Sequence, residues 1–183
     1  MGSVIAPERA FASDADGALP DHVSFSQLDL MVRCPEAWRQ RYLMGVRAPA
    51  SGPLAIGTSV HAGIAEMYSE LAKHPRATPK MLREVGVETA LGNLDAREID
   101  PIAREEVAET TTHLLEVYAA QRPTHVKPVE VEKPITVDLA DSDIKLVGYV
   151  DCEAEDSLIE IKTSSRDRKS TSLNSSHANI SYA

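Results

Sequence analysis

Cysteine is nearly absent from this chain: Cys34 and Cys152 are the two in 183 residues. Two thiols build no disulfide framework, and a reducing, cytoplasmic setting is the default for such a composition. Aromatics are scarce as well, at 4%, so a core has to come from the Val, Leu, Ile, Ala and Met that make up most of the 43% hydrophobic content. No apolar run approaches the roughly 20 residues of a membrane span. Nor is there the apolar centre of a signal peptide, because Val4-Ile5-Ala6 runs straight into Pro7-Glu8-Arg9. Cations are outnumbered, 19 Lys and Arg against 28 Asp and Glu, for a formal charge of -9. That balance excludes a surface basic all over and leaves nucleic-acid contact to a local patch.

The chain is long enough for one domain with a real core. Residues 1–22 are rich in Ala, Asp, Gly and Pro without periodicity and read as a flexible leader. Order is expected from Val23, with Ser26 capping a short helix that carries Leu28, Leu30 and Met31. Pro35 suits the first turn of a second helix running through Trp38, Tyr42 and Leu43. Between Arg33 and Arg47 stand Arg33, Arg39, Arg41 and Arg47 against Glu36 alone, with Trp38 and Tyr42 interleaved. Such a segment could meet nucleic acid by phosphate pairing and stacking, or its aromatics could anchor the helix while the arginines are solvated. A third helix, capped at Thr58 or Ser59, has the apolar stripe Val60, Ile64, Met67, Tyr68 and Leu71 and ends near Lys73-His74-Pro75. His61 falls in its first turn, as a structural histidine or a ligand. Helices over 78–93 and 101–121 follow as packing elements, the latter burying Val107, Leu114 and Tyr118.

After Pro123 the period changes to alternation. Val129, Val131, Ile135, Val137 and Leu139 mark a strand with Glu130 and Glu132 facing the other way, and Pro134 argues for an edge or a bulge. Val147 to Thr163 then reads as two strands joined by an acidic turn at Glu155-Asp156. Leu158, Glu160 and Lys162 point one way and Ile159 and Ile161 the other, while Cys152 lies on the core side. A turn symmetric about residues 155 and 156 places Asp151 opposite Glu160, with Cβ atoms about 4.5–5.5 Å apart. Facing carboxylates destabilise a sheet unless compensated, and a divalent cation or Lys162 would compensate. Two carboxylates able to share a hard cation, beside an ammonium, are the parts of metal-assisted phosphodiester hydrolysis; the bland alternative is a solvated strand face. Helices first and a strand meander afterwards give an α+β fold with helices packed on a sheet.

Residues 167–183 turn abruptly to Ser and Asn. Asp167 to His177 look like a translated sequencing-library adapter, with one residue different at Ser172. The native part is therefore expected to end near Arg166, with a C-terminal portion missing.

Four landmarks occur in order: Ser24-Phe25-Ser26-Gln27-Leu28 with Cys34-Pro35-Glu36-Ala37-Trp38, then Gly57-Thr58-Ser59-Val60-His61, then Gly148-Tyr149-Val150-Asp151, then Glu160-Ile161-Lys162-Thr163. Together, over residues 23–166, they resemble the RecB-like branch of the PD-(D/E)XK nuclease superfamily. The resemblance implies a restriction-endonuclease-like core, a mixed sheet flanked by helices, that cleaves DNA exonucleolytically with Mg²⁺ or Mn²⁺. It implies His61, Asp151 and Glu160 as metal ligands together with the Ile161 carbonyl, and Asp151, Glu160 and Lys162 as the catalytic set. Lys162 would orient or help deprotonate the attacking water. Glu132 aligns, more weakly, with an acidic position that often precedes the Gly-x-x-Asp strand. Some relatives carry a [4Fe-4S] cluster, for which Cys34 alone could serve here. DNA is the implied partner, with a helicase or recombination protein beside it. The alternative is a nuclease-derived fold that grips DNA or protein without cutting. Two departures stand out: Glu-Ile-Lys replaces the commoner Asp-Tyr-Lys, and the downstream helix with a Gln-x-x-x-Tyr pattern is missing.

Overall fold

The computed structural model describes residues 20–47, 49–95, 99, 101–121, 126–139, 142–164 and 176–181. Most of the expected leader, and residues 167–175 and 182–183 of the expected tail, lie outside them. Helices come first and most strands after them, the expected α+β fold with a mixed sheet, but a short strand at His22–Ser24, not expected from the sequence, precedes the helices. The chain divides into two compact units, Met1–Ala48 with Pro134–Gly148 and Pro49–Lys133 with Tyr149–Ala183.

In the first unit, β1 (His22–Ser24) lies parallel to β3 (Lys145–Ala154), His22 against Lys145 and Ser24 against Val147. Helix α1 (Phe25–Arg33) follows at once. Its cap is Ser24, not Ser26: the Ser24 hydroxyl accepts the Gln27 N–H at 3.3 Å, and an extended φ of -104° sets up that geometry. The residue it buries is Gln27, whereas Leu28 and Met31 stay exposed. Pro35 starts α2 (Pro35–Trp38) as expected, but the helix widens into a π-helical turn over Arg39–Leu43. Gly45 ends it with a φ of +67°, a left-handed conformation that favours glycine.

The second unit holds the helical core. Helix α3 (Gly52–Lys73) starts about two turns earlier than its apolar stripe suggests, with Ser51 at the cap position. Thr58 does not cap; its hydroxyl donates back to the Leu54 carbonyl at 2.6 Å, and Ser59 is buried and donates to Asn93. Val60, Ile64, Met67, Tyr68 and Leu71 are all buried, and α3 ends at Lys73. Helix α4 (Pro79–Asp95) crosses α3 where Gly63 and Gly86 meet. A Cβ at Gly63 would stand 2.6 Å from the Gly86 carbonyl oxygen, so the crossing needs glycine. Helix α5 (Pro101–Gln121) adds Val107, Leu114 and Tyr118 to the core, and the Tyr68 and Tyr118 hydroxyls hydrogen-bond to each other.

Against these helices lies one face of β3 and β4 (Leu158–Ser164): Cys152, Ala154, Ile159 and Ile161 join the same buried cluster. β3 and β4 are antiparallel, with Cys152 against Ile159 and Glu153 against Leu158. Those pairs have the numbering constant expected of a turn at Glu155-Asp156. β5 (Ser176–Ser181) runs parallel to β4 and falls within the stretch read as a non-native tail. β2 (Pro128–Asp138) also pairs with β3. Its alternation is broken at Glu132, the one non-glycine with positive φ (52°) among the described residues. Val129 is exposed, whereas Val131 and Glu132 are both half-buried.

Candidate functional site

The hairpin explains why Asp151 is not free to face Glu160. The ladder reaches Cys152 against Ile159; one residue further, the Asp151 Oδ2 accepts the Ile161 N–H at 2.7 Å. A side-chain carboxylate thus satisfies a backbone donor of a residue that is itself 1% exposed. Its other oxygen, Oδ1, lies 3.5 Å from Nδ1 of His61 on α3. His61 is the tenth residue of that helix rather than in its first turn, because the helix begins at Gly52. One turn before His61, Gly57 lets α3 approach β4: a Cβ there would stand 3.2 Å from the Thr163 hydroxyl.

The electrostatics of Asp151 are a contest. Burial pushes its carboxyl up, but the hydrogen bonds from His61 and from the Ile161 N–H, with the positive charge of Lys162, outweigh burial and hold it below its ordinary value. Glu132 goes the opposite way. Burial raises its carboxyl, the nearby charge of Asp151 raises it further, and His61 draws it partly back. Glu132 therefore belongs to the same neighbourhood as His61 and Asp151. Its signal in the sequence was weak, and the left-handed backbone that turns it inward was not visible there. Strained φ values of this kind gather at functional sites.

Glu160 and Lys162 lie on the exposed face of β4 and form an ion pair with each other. The expected convergence is partial: His61 lies against Asp151, Glu132 and Lys162 act on that pair through their charges, and Glu160 pairs with Lys162. The Ile161 N–H is engaged by Asp151, and its side chain is core. Among the described residues no three of His, Cys, Asp and Glu stand close enough as they lie to hold a metal ion. The donor types nevertheless suit a hard divalent cation, being carboxylate oxygens with one imidazole nitrogen. The repulsion between Glu132 and Asp151 marks a place where added positive charge would be stabilising.

Of the cysteines present, Cys34 alone could serve an iron–sulfur cluster. Four thiolates hold [4Fe-4S], and this chain has Cys34, which is exposed, and Cys152, which is buried. Burial, then the charges of Asp151 and Glu153, push the Cys152 thiol up to about 11, so it stays protonated at neutral pH.

The arginine segment sorts itself. Trp38 is buried and packs 6.3 Å from the Tyr42 ring, so it anchors the helix and offers no stacking surface. Arg33 pairs with Asp29 at 2.5 Å and Arg39 grips both oxygens of Glu36 at 2.8 Å. Arg41 lies over the Tyr42 ring at 5.5 Å. Arg41 and Arg47 form no ion pair among the described residues, and both are exposed.

A family model for the PD-(D/E)XK nuclease superfamily matches residues 22–179. No curated protein and no solved structure matches the chain. No described helix is long and apolar enough to cross a membrane.

Proposed function

Because the chain belongs to the PD-(D/E)XK nuclease superfamily, we propose that it is a metal-dependent deoxyribonuclease that hydrolyses phosphodiester bonds, with the exonuclease-like habit of the RecB-like branch. The observation that carries this reading is the position of Asp151, 2.7 Å from the Ile161 N–H and 3.5 Å from His61, one strand away from the Glu160–Lys162 pair.

His61, Asp151 and Glu160, with the Ile161 carbonyl and with Glu132 added by its proximity, would hold Mg²⁺ or Mn²⁺. Such an ion, when bound, supplies Lewis acidity toward the phosphate oxygens. The rest falls to the chain itself. The Ile161 N–H fixes the Asp151 carboxylate, and the low pKa of that carboxylate keeps it ionised and ready as a ligand at neutral pH. Lys162, exposed beside Glu160, orients a water toward phosphorus and offsets the negative charge that gathers there as the new P–O bond forms and the old one breaks. The proton of the water passes toward the Lys162–Glu160 pair, and the leaving oxygen takes a proton from solvent.

DNA would be gripped through its phosphates by Arg41 and Arg47, the two cations of the basic segment left without acidic partners among the described residues. Helicase or recombination proteins are the partners in keeping with the RecB-like pattern, and a cytoplasmic setting is in keeping with two unpaired thiols.

A second reading, a nuclease fold that binds DNA or protein without cutting it, is favoured by one observation: Glu160 is paired with Lys162, and among the described residues no three of His, Cys, Asp and Glu are grouped to hold a metal ion. The test is degradation of end-labelled DNA with Mn²⁺ or Mg²⁺. The wild-type chain should shorten the substrate, and Lys162→Ala should lose activity by about 10²-fold or more while still binding Mn²⁺. Undiminished cutting by Lys162→Ala refutes the catalytic assignment. A wild-type chain that binds metal and DNA yet cuts nothing selects the second reading.

A further inference from the structure

We infer that the contact between Gly57 and Thr163 positions His61 against Asp151, so that Gly57 and Thr163 are positioning residues of the metal site; this rests on the reading of His61 and Asp151 as ligands. Asp151 is tied to β4 through the Ile161 N–H, whereas His61 rides on α3. The 3.5 Å separation between them therefore depends on how closely α3 approaches β4. Gly57 and His61 are four residues apart, on one helix face and one turn from each other. Thr163 is two residues beyond Ile161, on the same side of β4 as the buried Ile159 and Ile161 and hence toward the helices.

Helix conformation does not explain the glycine. Gly57 lies within α3, has no positive φ, and alanine is the better helix former. The explanation is steric: an added Cβ would stand 3.2 Å from the Thr163 Oγ1, so one partner would have to give by a few tenths of an ångström. Metal–ligand distances hold to within about 0.2 Å. A displacement that packing absorbs is thus larger than a coordination shell tolerates. The Gly63–Gly86 crossing differs, since there an added Cβ would meet backbone at 2.6 Å and the fold itself is at stake.

The test is calorimetric titration of the chain with Mn²⁺, with melting temperatures read in parallel. Gly57→Ala should weaken Mn²⁺ about tenfold, the lower end of what supporting residues of metal sites contribute, while melting within about 3 °C of wild type. Thr163→Ala, which removes the clashing oxygen, should restore the double variant to within about threefold of wild type, whereas Thr163→Ser, which keeps that oxygen, should not. If Gly57→Ala does not fold, the Gly57→Ala/Thr163→Ala variant carries the test in its place. Wild-type affinity in Gly57→Ala, or no recovery in the double variant with Thr163→Ala, overturns the inference and leaves the ligand assignment standing. A wild-type chain that takes up no Mn²⁺ overturns both.

Discussion

Asp151 has two duties, and two substitutions separate them. Asp151→Ala removes the acceptor of the Ile161 N–H, a 2.7 Å bond from a residue 1% exposed. A hydrogen bond to a charged group contributes about 1.5–3 kcal/mol, and an orphaned buried donor costs a similar amount, so a loss of about 2 kcal/mol is expected. For a chain of this size that is a fall in melting temperature of about 4–8 °C. Asp151→Asn keeps an oxygen for Ile161 but not the charge, and should cost roughly half as much. The dependence on pH has a definite sign. A carboxyl held below its ordinary value of 3.8 contributes stability above that value and loses it as pH falls through the lower folded value. The part of the Asp151→Asn deficit that comes from this carboxyl should therefore shrink only below 3.8. Scanning calorimetry in EDTA measures all three proteins without metal. Equal melting temperatures for Asp151→Ala and wild type would refute the structural duty, and equal temperatures for Ala and Asn would refute the part assigned to the retained oxygen.

Glu132→Gln should raise the melting temperature of the metal-free protein at neutral pH, because a carboxyl pushed up by burial and by Asp151 resists ionisation in the folded state. Stability tied to such a group falls as pH rises through its folded value, so the gain should vanish in acid; a gain that persists in acid would count against this cause. Gly63→Ala would bring a methyl 2.6 Å from the Gly86 carbonyl and 2.9 Å from the Leu115 methyls. Urea unfolding should show a loss of about 1–3 kcal/mol, and no loss would mean that the helices part freely. Replacing Arg41 and Arg47 by Ala should lower the salt dependence of single-stranded DNA binding, measured by anisotropy in EDTA, by about 1.4 in log–log slope. An unchanged slope would remove them from the phosphate contacts.

Much of this site was written in period and spacing. The Glu155-Asp156 turn and the alternation of Ile159 and Ile161 with Glu160 and Lys162 set the hairpin, because a half-buried strand pair has a single register that keeps its apolar side chains inside. The stripe from Val60 to Leu71 set the buried face of α3 for the same reason. What alternation does not carry is a side chain bonding to backbone. Asp151 takes the Ile161 N–H and so leaves its place opposite Glu160, which turns to Lys162. Nor does period carry the left-handed φ of Glu132, and the start of α3 at Gly52 is marked by Pro53 in its first turn rather than by the apolar stripe. Leu28 and Met31, read as apolar residues of the first helix, lie exposed in the first unit, and Gln27 is buried in their place.

The most direct measurement is a calorimetric titration of the chain with Mn²⁺, repeated on Asp151→Asn and His61→Ala at a pH and temperature where all three are folded. A metal centre built on His61 and Asp151 requires saturable binding to the wild type and at least a tenfold loss in each variant. Mn²⁺ binding of equal strength in all three would show that the ion sits elsewhere, or that these side chains meet for structural reasons alone.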